Sequence, residues 1–326
     1  MIEDPLTKVL KPFNFDPLIE NVQQVTMLDY VIDHIQLEHP IDSSDMRISD
    51  WQQIASWIVD NYDKYDGFVV LHGTDTMAYT ASALSFMLEN LRKPVIITGS
   101  QLPIGEVRTD GEENLITALQ IAAATDLQGL PMVQEVAILF ENYLWRGNRA
   151  TKQSADNFNA FTSNNYPPLA KIGLGIQYDT DALARPTMGP PLNARLNMNP
   201  NVIVINLFPG LSEASLRHML ATPDLQAAVL RTYGAGNAPT AGWFVDTIAE
   251  AIDRGVVVLN VTQCTNGAVM RRYEAADALA SIGVVAGHDI TIEAAITKLM
   301  FLFGMGLQPA SVRKYLNISL CGEITL

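Results

Sequence analysis

A hydroxyl, a carboxylate and an amine are enough to move a proton to and from a reacting group, and two loops of this sequence supply such a set. Thr74 and Asp75 lie in "HGTDT", residues 72–76, and Lys152 ends "WRGNRATK", residues 145–152. A neutral lysine can take a proton from a hydroxyl, and a neighbouring carboxylate can hold the resulting ammonium. Thr74, Asp75 and Lys152 are therefore a candidate triad with threonine in place of serine. A third loop, "PIDSSDM", residues 40–46, sets Asp42 and Asp45 around Ser43 and Ser44, just ahead of a helical stretch with Trp51, Ile54, Ala55 and Ile58. Each loop also has a plainer use. Asp75 or Thr76 suits a helix cap and Gly73 a turn, the 40–46 loop suits a cap, and the basic residues of 145–152 suit solvated surface.

The elements that must hold these loops are legible from hydrophobic patterning. Phe68–Leu71 is a short, unbroken apolar run with β-branched residues at its centre, as expected of a strand buried on both faces. From Met77 the pattern becomes helical, with Ala81, Leu84, Met87 and Leu88 following at the right intervals. Residues 72–76 are thus a strand-to-helix loop at the carboxyl end of a parallel strand, where open α/β sheets place their ligands. Further strands are expected at 95–98, 136–140, 202–207, 227–230 and 256–261, with helical stretches between them, and this alternation predicts a parallel α/β architecture. "TGSQLPIGEVRTDGEEN", residues 98–114, reads as loop structure. "RPTMGPPLNARLNMNPN", residues 185–201, lacks periodicity and is the expected linker between a larger N-terminal domain, 1–184, and a smaller C-terminal domain, 202–326.

Composition excludes several classes of function. The 326 residues carry 21 Lys and Arg against 35 Asp and Glu, a formal charge of −14, which repels phosphate backbones and argues against nucleic-acid binding. The five histidines show no metal-ligand spacing, and CxxC, HExxH and the GxSxG of a nucleophile elbow are all absent. "YGAGNAP", residues 233–239, has two glycines of a dinucleotide fingerprint but proline in place of the third. Two cysteines do not make a disulfide framework, no apolar run reaches the length of a membrane span, and the first twenty residues lack the apolar core of a secretory signal. The expected compartment is the cytoplasm.

Six stretches together carry a resemblance: "HGTDTMAYTASALSFMLENL", "KPVIITGSQLPIGEVRTDG", "IDSSDM", "WRGNRATK", "RTYGAGNAP" and "GVVVLNVTQC". In uninterrupted order they resemble the cytoplasmic type I bacterial L-asparaginases. The resemblance implies a two-domain asparaginase-like α/β fold and hydrolysis of L-asparagine to L-aspartate and ammonia without a cofactor or metal. It also implies a homo-oligomer, a dimer or a dimer of dimers, whose paired subunits complete the sites. Carried over by motif, Thr74, Asp75 and Lys152 become catalytic, with Asp75 also binding the substrate ammonium. Asp42, Ser43 and Ser44 become the loop around the α-amino and α-carboxylate groups, and Asn237 the contribution of a neighbouring subunit. Some intracellular relatives bind asparagine at a second site, for which Arg231 and Cys264 are the candidates; the plainer expectation for Cys264 is a small buried residue beside a strand end.

The resemblance has one gap. Such enzymes begin with a buried strand and a T-G-G-T-I-G-M motif whose second threonine is the acylated nucleophile, whereas this sequence opens on "MIEDPLTKVLKPF", with Leu10 nearest the place of the lid tyrosine. A strand removed from within a sheet would leave buried N–H and C=O groups unpaired, at about 1–3 kcal/mol each. A start codon assigned too far downstream is the expected explanation. The alternative is a non-catalytic amino-acid-binding or regulatory relative.

Overall fold

The computed structural model describes residues 2–3, 10–11, 22–104, 106–185, 189–270 and 274–326. Two compact units divide the chain, Met1–Ala194 and Arg195–Leu326. Each is an α/β unit of its own.

In the first unit, β1 (Ile2–Glu3) and β2 (Leu10–Lys11) form an antiparallel pair. The main sheet begins with β3 (Phe68–Leu71). After β4 (Leu88–Glu89) it continues with β5 (Val95–Thr98), β6 (Val136–Phe140) and β7 (Tyr143–Arg146). Next come the pair β8 (Thr151–Lys152) and β9 (Phe161–Thr162), the sheet strands β10 (Ala170–Ile172) and β11 (Ile176–Tyr178), and β12 (Asn193–Ala194), which pairs with β4. The sheet order is β11-β10-β7-β6-β5-β3. Its β3, β5 and β6 strands are parallel, and β7, β10 and β11 continue it as an antiparallel meander. The change of sense follows from the two-residue turn after β6, where Glu141 takes a φ of 52°.

Helix α1 (Ile48–Asp60) follows the 40–46 loop, α2 (Met77–Met87) leaves the 72–76 loop and packs on β6, and α3 (Gly111–Ala123) packs on β3, β5 and β6. Every residue of β5 and β6 is buried, as for strands covered on both faces. β3 departs from the sequence expectation. Its residues are half-buried and Leu71 is 37% exposed, because β3 is an end strand of the sheet among the described residues and has only β5 beside it.

The second unit is a wholly parallel sheet of β13 (Val202–Asn206), β14 (Ala227–Thr232), β15 (Val257–Thr262) and β16 (Val285–Ala286), in that order. The helices are α4 (Glu213–Leu220), α5 (Gly242–Asp253), α6 (Glu274–Ser281), α7 (Ile292–Gly304) and α8 (Pro309–Leu316). Ile205, Ala228, Leu230, Phe244, Ile248 and Val258 are among the residues of its core. The C-terminal segment is tied down by a fully buried ion pair, Lys298 Nζ to Glu323 Oε1 at 2.6 Å. Lys298 also donates to the Ile318 carbonyl, and the Glu323 carboxylate accepts from the N–H groups of Leu320 and Cys321.

Among the described residues no helix is long and apolar enough to cross a membrane, and no cluster of His, Cys, Asp and Glu could hold a metal ion.

Candidate active site

Parallel register delivers the first loop. The His72 N–H continues the β3–β5 ladder to the Thr98 carbonyl at 2.9 Å, and the chain then turns away through Gly73 into α2. The turn needs two close approaches. A Cβ on Gly99 would lie 2.1 Å from the His72 carbonyl oxygen, and one on Gly73 would lie 2.6 Å from Ser43 Oγ. The 72–76 and 40–46 loops are therefore packed against each other. Thr76 joins them as well: its hydroxyl donates to the Ser43 carbonyl at 2.6 Å, and it makes no side-chain cap of α2. Gly73→Ala is expected to push the loops apart, read as a lower melting temperature than that of the wild type.

Lys152 reaches this loop from β8. Its Nζ lies 2.8 Å from Thr74 Oγ1 and 2.6 Å from Asp75 Oδ1, with the lysine side chain 18% and the aspartate 61% exposed. As an ammonium, Lys152 donates to both. The Thr74 hydroxyl, accepting from Lys152, donates its own proton to Gln101 Oε1 at 3.2 Å. The amine thus touches both the hydroxyl and the carboxylate, and the hydroxyl hydrogen has a defined direction.

The 40–46 loop makes a single 3₁₀ turn, Ser43–Asp45. Asp42 caps it, accepting from both the N–H and the hydroxyl of Ser44 at 2.9 Å, and these bonds hold its carboxyl below the usual aspartate range. Capping and an exposed polar loop are combined here in one residue. α1 has its own cap further on, where the Arg47 N–H donates to Asp50.

Several expectations change. The arginines of 145–152 are not solvated surface: Arg146 and Arg149 are buried. Arg146 pairs with Glu135 at 2.6 Å and stacks over the Tyr166 ring at 4.3 Å, because β7 lies inside the sheet and carries its side chains into the unit. Cys264 is exposed and not a buried small residue, because β15 ends at Thr262 and the chain has left the sheet. Arg231 on β14 has a buried Nε without a hydrogen-bond partner, as does Asn237 at Oδ1. Asn237 pairs with Tyr233 across a tight turn and lines a cavity of about 430 Å³ with Phe208, Trp243 and Phe244. Asn237, Arg231 and Cys264 belong to the second unit, whereas Thr74, Asp75, Lys152, Asp42, Ser43 and Ser44 belong to the first.

The 98–114 segment is more than a loop. Gln101, which accepts the hydrogen bond of the Thr74 hydroxyl, is held by Asp110, whose carboxylate accepts from the N–H groups of Gln101 and Leu102 and from Asn114 Nδ2. Asn114 in turn donates to the Gly99 carbonyl and accepts from the Glu141 N–H. Asp110 stands at the entrance of α3, yet its side chain makes no cap of that helix.

The family model for the N-terminal part of the asparaginases matches residues 1–184, and that for the glutaminase/asparaginase C-terminal domain matches 201–316. The chain belongs to the asparaginase family. Within it, L-asparaginase 1 of Escherichia coli K12 is 48% identical over 286 residues, covering 87% of this chain and 82% of that protein. The crystal structure of L-asparaginase I from Vibrio cholerae superposes with a TM-score of 0.80 at 44% identity, covering 88% of this chain and 84% of that one. The family is broader in activity than these two names. A mouse protein named 60 kDa lysophospholipase is 43% identical over 286 residues, which is 87% of this asparaginase-family chain but 50% of the mouse protein.

Proposed function

We propose that this protein hydrolyses L-asparagine to L-aspartate and ammonia in the cytoplasm, without a cofactor, as a homo-oligomer. The observation that carries the reading is Lys152 Nζ within hydrogen-bond distance of both Thr74 Oγ1 and Asp75 Oδ1. Amide hydrolysis has to protonate a departing ammonia and activate an attacking hydroxyl. Lys152 as the neutral amine takes the proton of the attacking hydroxyl through Thr74, and the ammonium so formed, held by Asp75, returns a proton through Thr74 to the departing nitrogen, which leaves as ammonia. A half-exposed carboxylate at Asp75 and an anionic Asp42 beside the Ser43 and Ser44 hydroxyls suit the ammonium and carboxylate of a small amino acid better than an acyl chain. In this reading Thr74 relays the proton. The acylated hydroxyl implied by the resemblance is a separate threonine in a T-G-G-T-I-G motif, which residues 1–326 do not contain. Asn237 of a second subunit completes the pocket.

Asp75→Asn tests the substrate side. Removing the carboxylate that pairs with the substrate ammonium loses a charge-assisted hydrogen bond of about 1.5–3 kcal/mol, so the KM for asparagine in full-length protein is expected to rise roughly ten- to a hundredfold. Ammonia release measured against asparagine concentration reads this directly. An unchanged KM would return Asp75 to the role of a loop residue. Hydrolysis of a lysophospholipid in place of asparagine by the wild type would reject the substrate class.

A further inference from the structure

The strand-to-helix loop rests on a buried polar chain that the proton chemistry does not use. Trp51 in the first turn of α1 lies 2.9 Å from Thr80 Oγ1 through its Nε1, and Thr80 Oγ1 lies 2.8 Å from His72 Nε2. His72 Nδ1 lies 2.6 Å from the Gly73 carbonyl oxygen. Trp51, Thr80 and His72 are all buried, Thr80 completely.

Directions along this chain follow from what each group is able to do. A carbonyl only accepts, so the histidine proton is on Nδ1; Nε2 then accepts, and the Thr80 hydroxyl must donate to it. The indole N–H only donates, and it fills a lone pair of the same hydroxyl. One arrangement satisfies every group, running from Trp51 to Thr80 to His72 to the Gly73 carbonyl. Burial holds the His72 ring neutral, against the opposing pull of the Gly73 hydrogen bond. A space-filling site would accept valine at position 80 equally well, so packing alone gives no reason for a fully buried hydroxyl there.

The ends of the chain meet the two substrate loops. α1 begins three residues after the Ser43–Asp45 turn, and Gly73 directly precedes Thr74 while packing on Ser43. We propose that Thr80 and His72 are positioning residues, which fix the Gly73 carbonyl and thereby set the spacing between the 40–46 loop and the Thr74–Asp75 loop. This rests on the reading of those loops as an asparagine site. Loss of the relay changes how tightly the two loops embrace the amino acid and leaves the Lys152–Thr74 contact to the chemical step.

Thr80→Val in full-length protein is expected to raise the KM for asparagine roughly tenfold while kcat stays within about threefold, and to shrink the melting-temperature rise produced by L-aspartate. Thr80→Ser, which keeps the hydroxyl, is expected to restore both. A second measurement needs no altered relay: ¹⁵N–¹H correlation of the histidine rings, with His72 assigned by comparison with His72→Gln, is expected to show the neutral Nδ1–H tautomer. A Thr80→Val protein with a lower melting temperature but wild-type KM and a wild-type response to aspartate would overturn the inference and leave a packing role. An Nε2–H or a charged His72 at neutral pH would overturn it as well. Wild-type protein that neither releases ammonia from asparagine nor responds to aspartate would overturn the asparagine reading, and this inference with it, even with the Nδ1–H tautomer in place.

Discussion

Lys152→Met in full-length protein is expected to lower ammonia release from L-asparagine by about three orders of magnitude or more, while the melting temperature stays close to that of the wild type. The lysine amine is the group in contact with both Thr74 Oγ1 and Asp75 Oδ1, so methionine removes the proton carrier from the centre of the set. The apolar stem is retained, and with it most of the packing of a side chain that is 18% exposed. Little stability is lost with the ion pair, because Asp75 is 61% exposed and water screens a pair of this kind. Steady-state kinetics and a thermal melt separate the two effects. Turnover near the wild-type rate would remove Lys152 from the reaction.

The second large effect concerns folding. Lys298→Met leaves the Glu323 carboxylate buried without its cation, and breaking a buried pair from one side costs about 3–5 kcal/mol. For a unit of this size that is a fall in melting temperature of roughly 10 °C or more. The double variant Lys298→Met with Glu323→Leu removes both charges and is expected to recover part of the loss, although the Leu320 and Cys321 N–H groups are then left without their acceptor. Glu323 also makes stability depend on pH. Burial alone would raise its pKa, but the Lys298 charge, the hydrogen bond from Lys298 and the two backbone N–H groups together hold it below the ordinary glutamate value of 4.5. A depressed carboxylate stabilises the folded state above its unfolded pKa. That contribution declines as pH falls below about 4.5 and is gone once the pH is below the folded pKa. The wild-type melting temperature should therefore drop more steeply below that pH than that of the double variant. Equal melting temperatures for wild type and Lys298→Met would show that the pair contributes nothing.

Where short-range patterning decided an element, it was legible in the chain. The apolar runs at 95–98 and 136–140 are strands with those limits, and the helical intervals from Met77 mark α2. β7 was missed because Tyr143–Arg146 is only four residues long, ends on a charged residue and owes its place to a two-residue turn after β6. Burial at β3 was overestimated for a related reason: composition reports how apolar a strand is, but neighbours decide how deeply it is buried. The candidate site shows the same division. Residue types and loop positions marked Thr74, Asp75 and Lys152, yet the contact between Lys152 and Asp75 spans 77 positions and exists only through the tertiary fold. Arg146 and Arg149 were misplaced because guanidinium groups are usually solvated, and here Glu135 and Tyr166 supply the partners that let them be buried. Gln101 and Asp110 gave no signal of their own, since their importance lies in which backbone groups the 98–114 segment brings beneath Thr74.

The central claim is that the Asp42–Ser44 and Thr74–Asp75 loops, with Lys152, form the place where the amino acid is held and its amide is cut. A crystal structure of the full-length protein with L-aspartate tests it most directly. The expected density has the α-ammonium within hydrogen-bond distance of the Asp75 carboxylate, the α-carboxylate against the 40–46 loop, and the side-chain carboxylate facing Thr74 Oγ1 and Lys152 Nζ. Aspartate bound only in the second unit, or an empty site at saturating aspartate with both loops ordered, would contradict it.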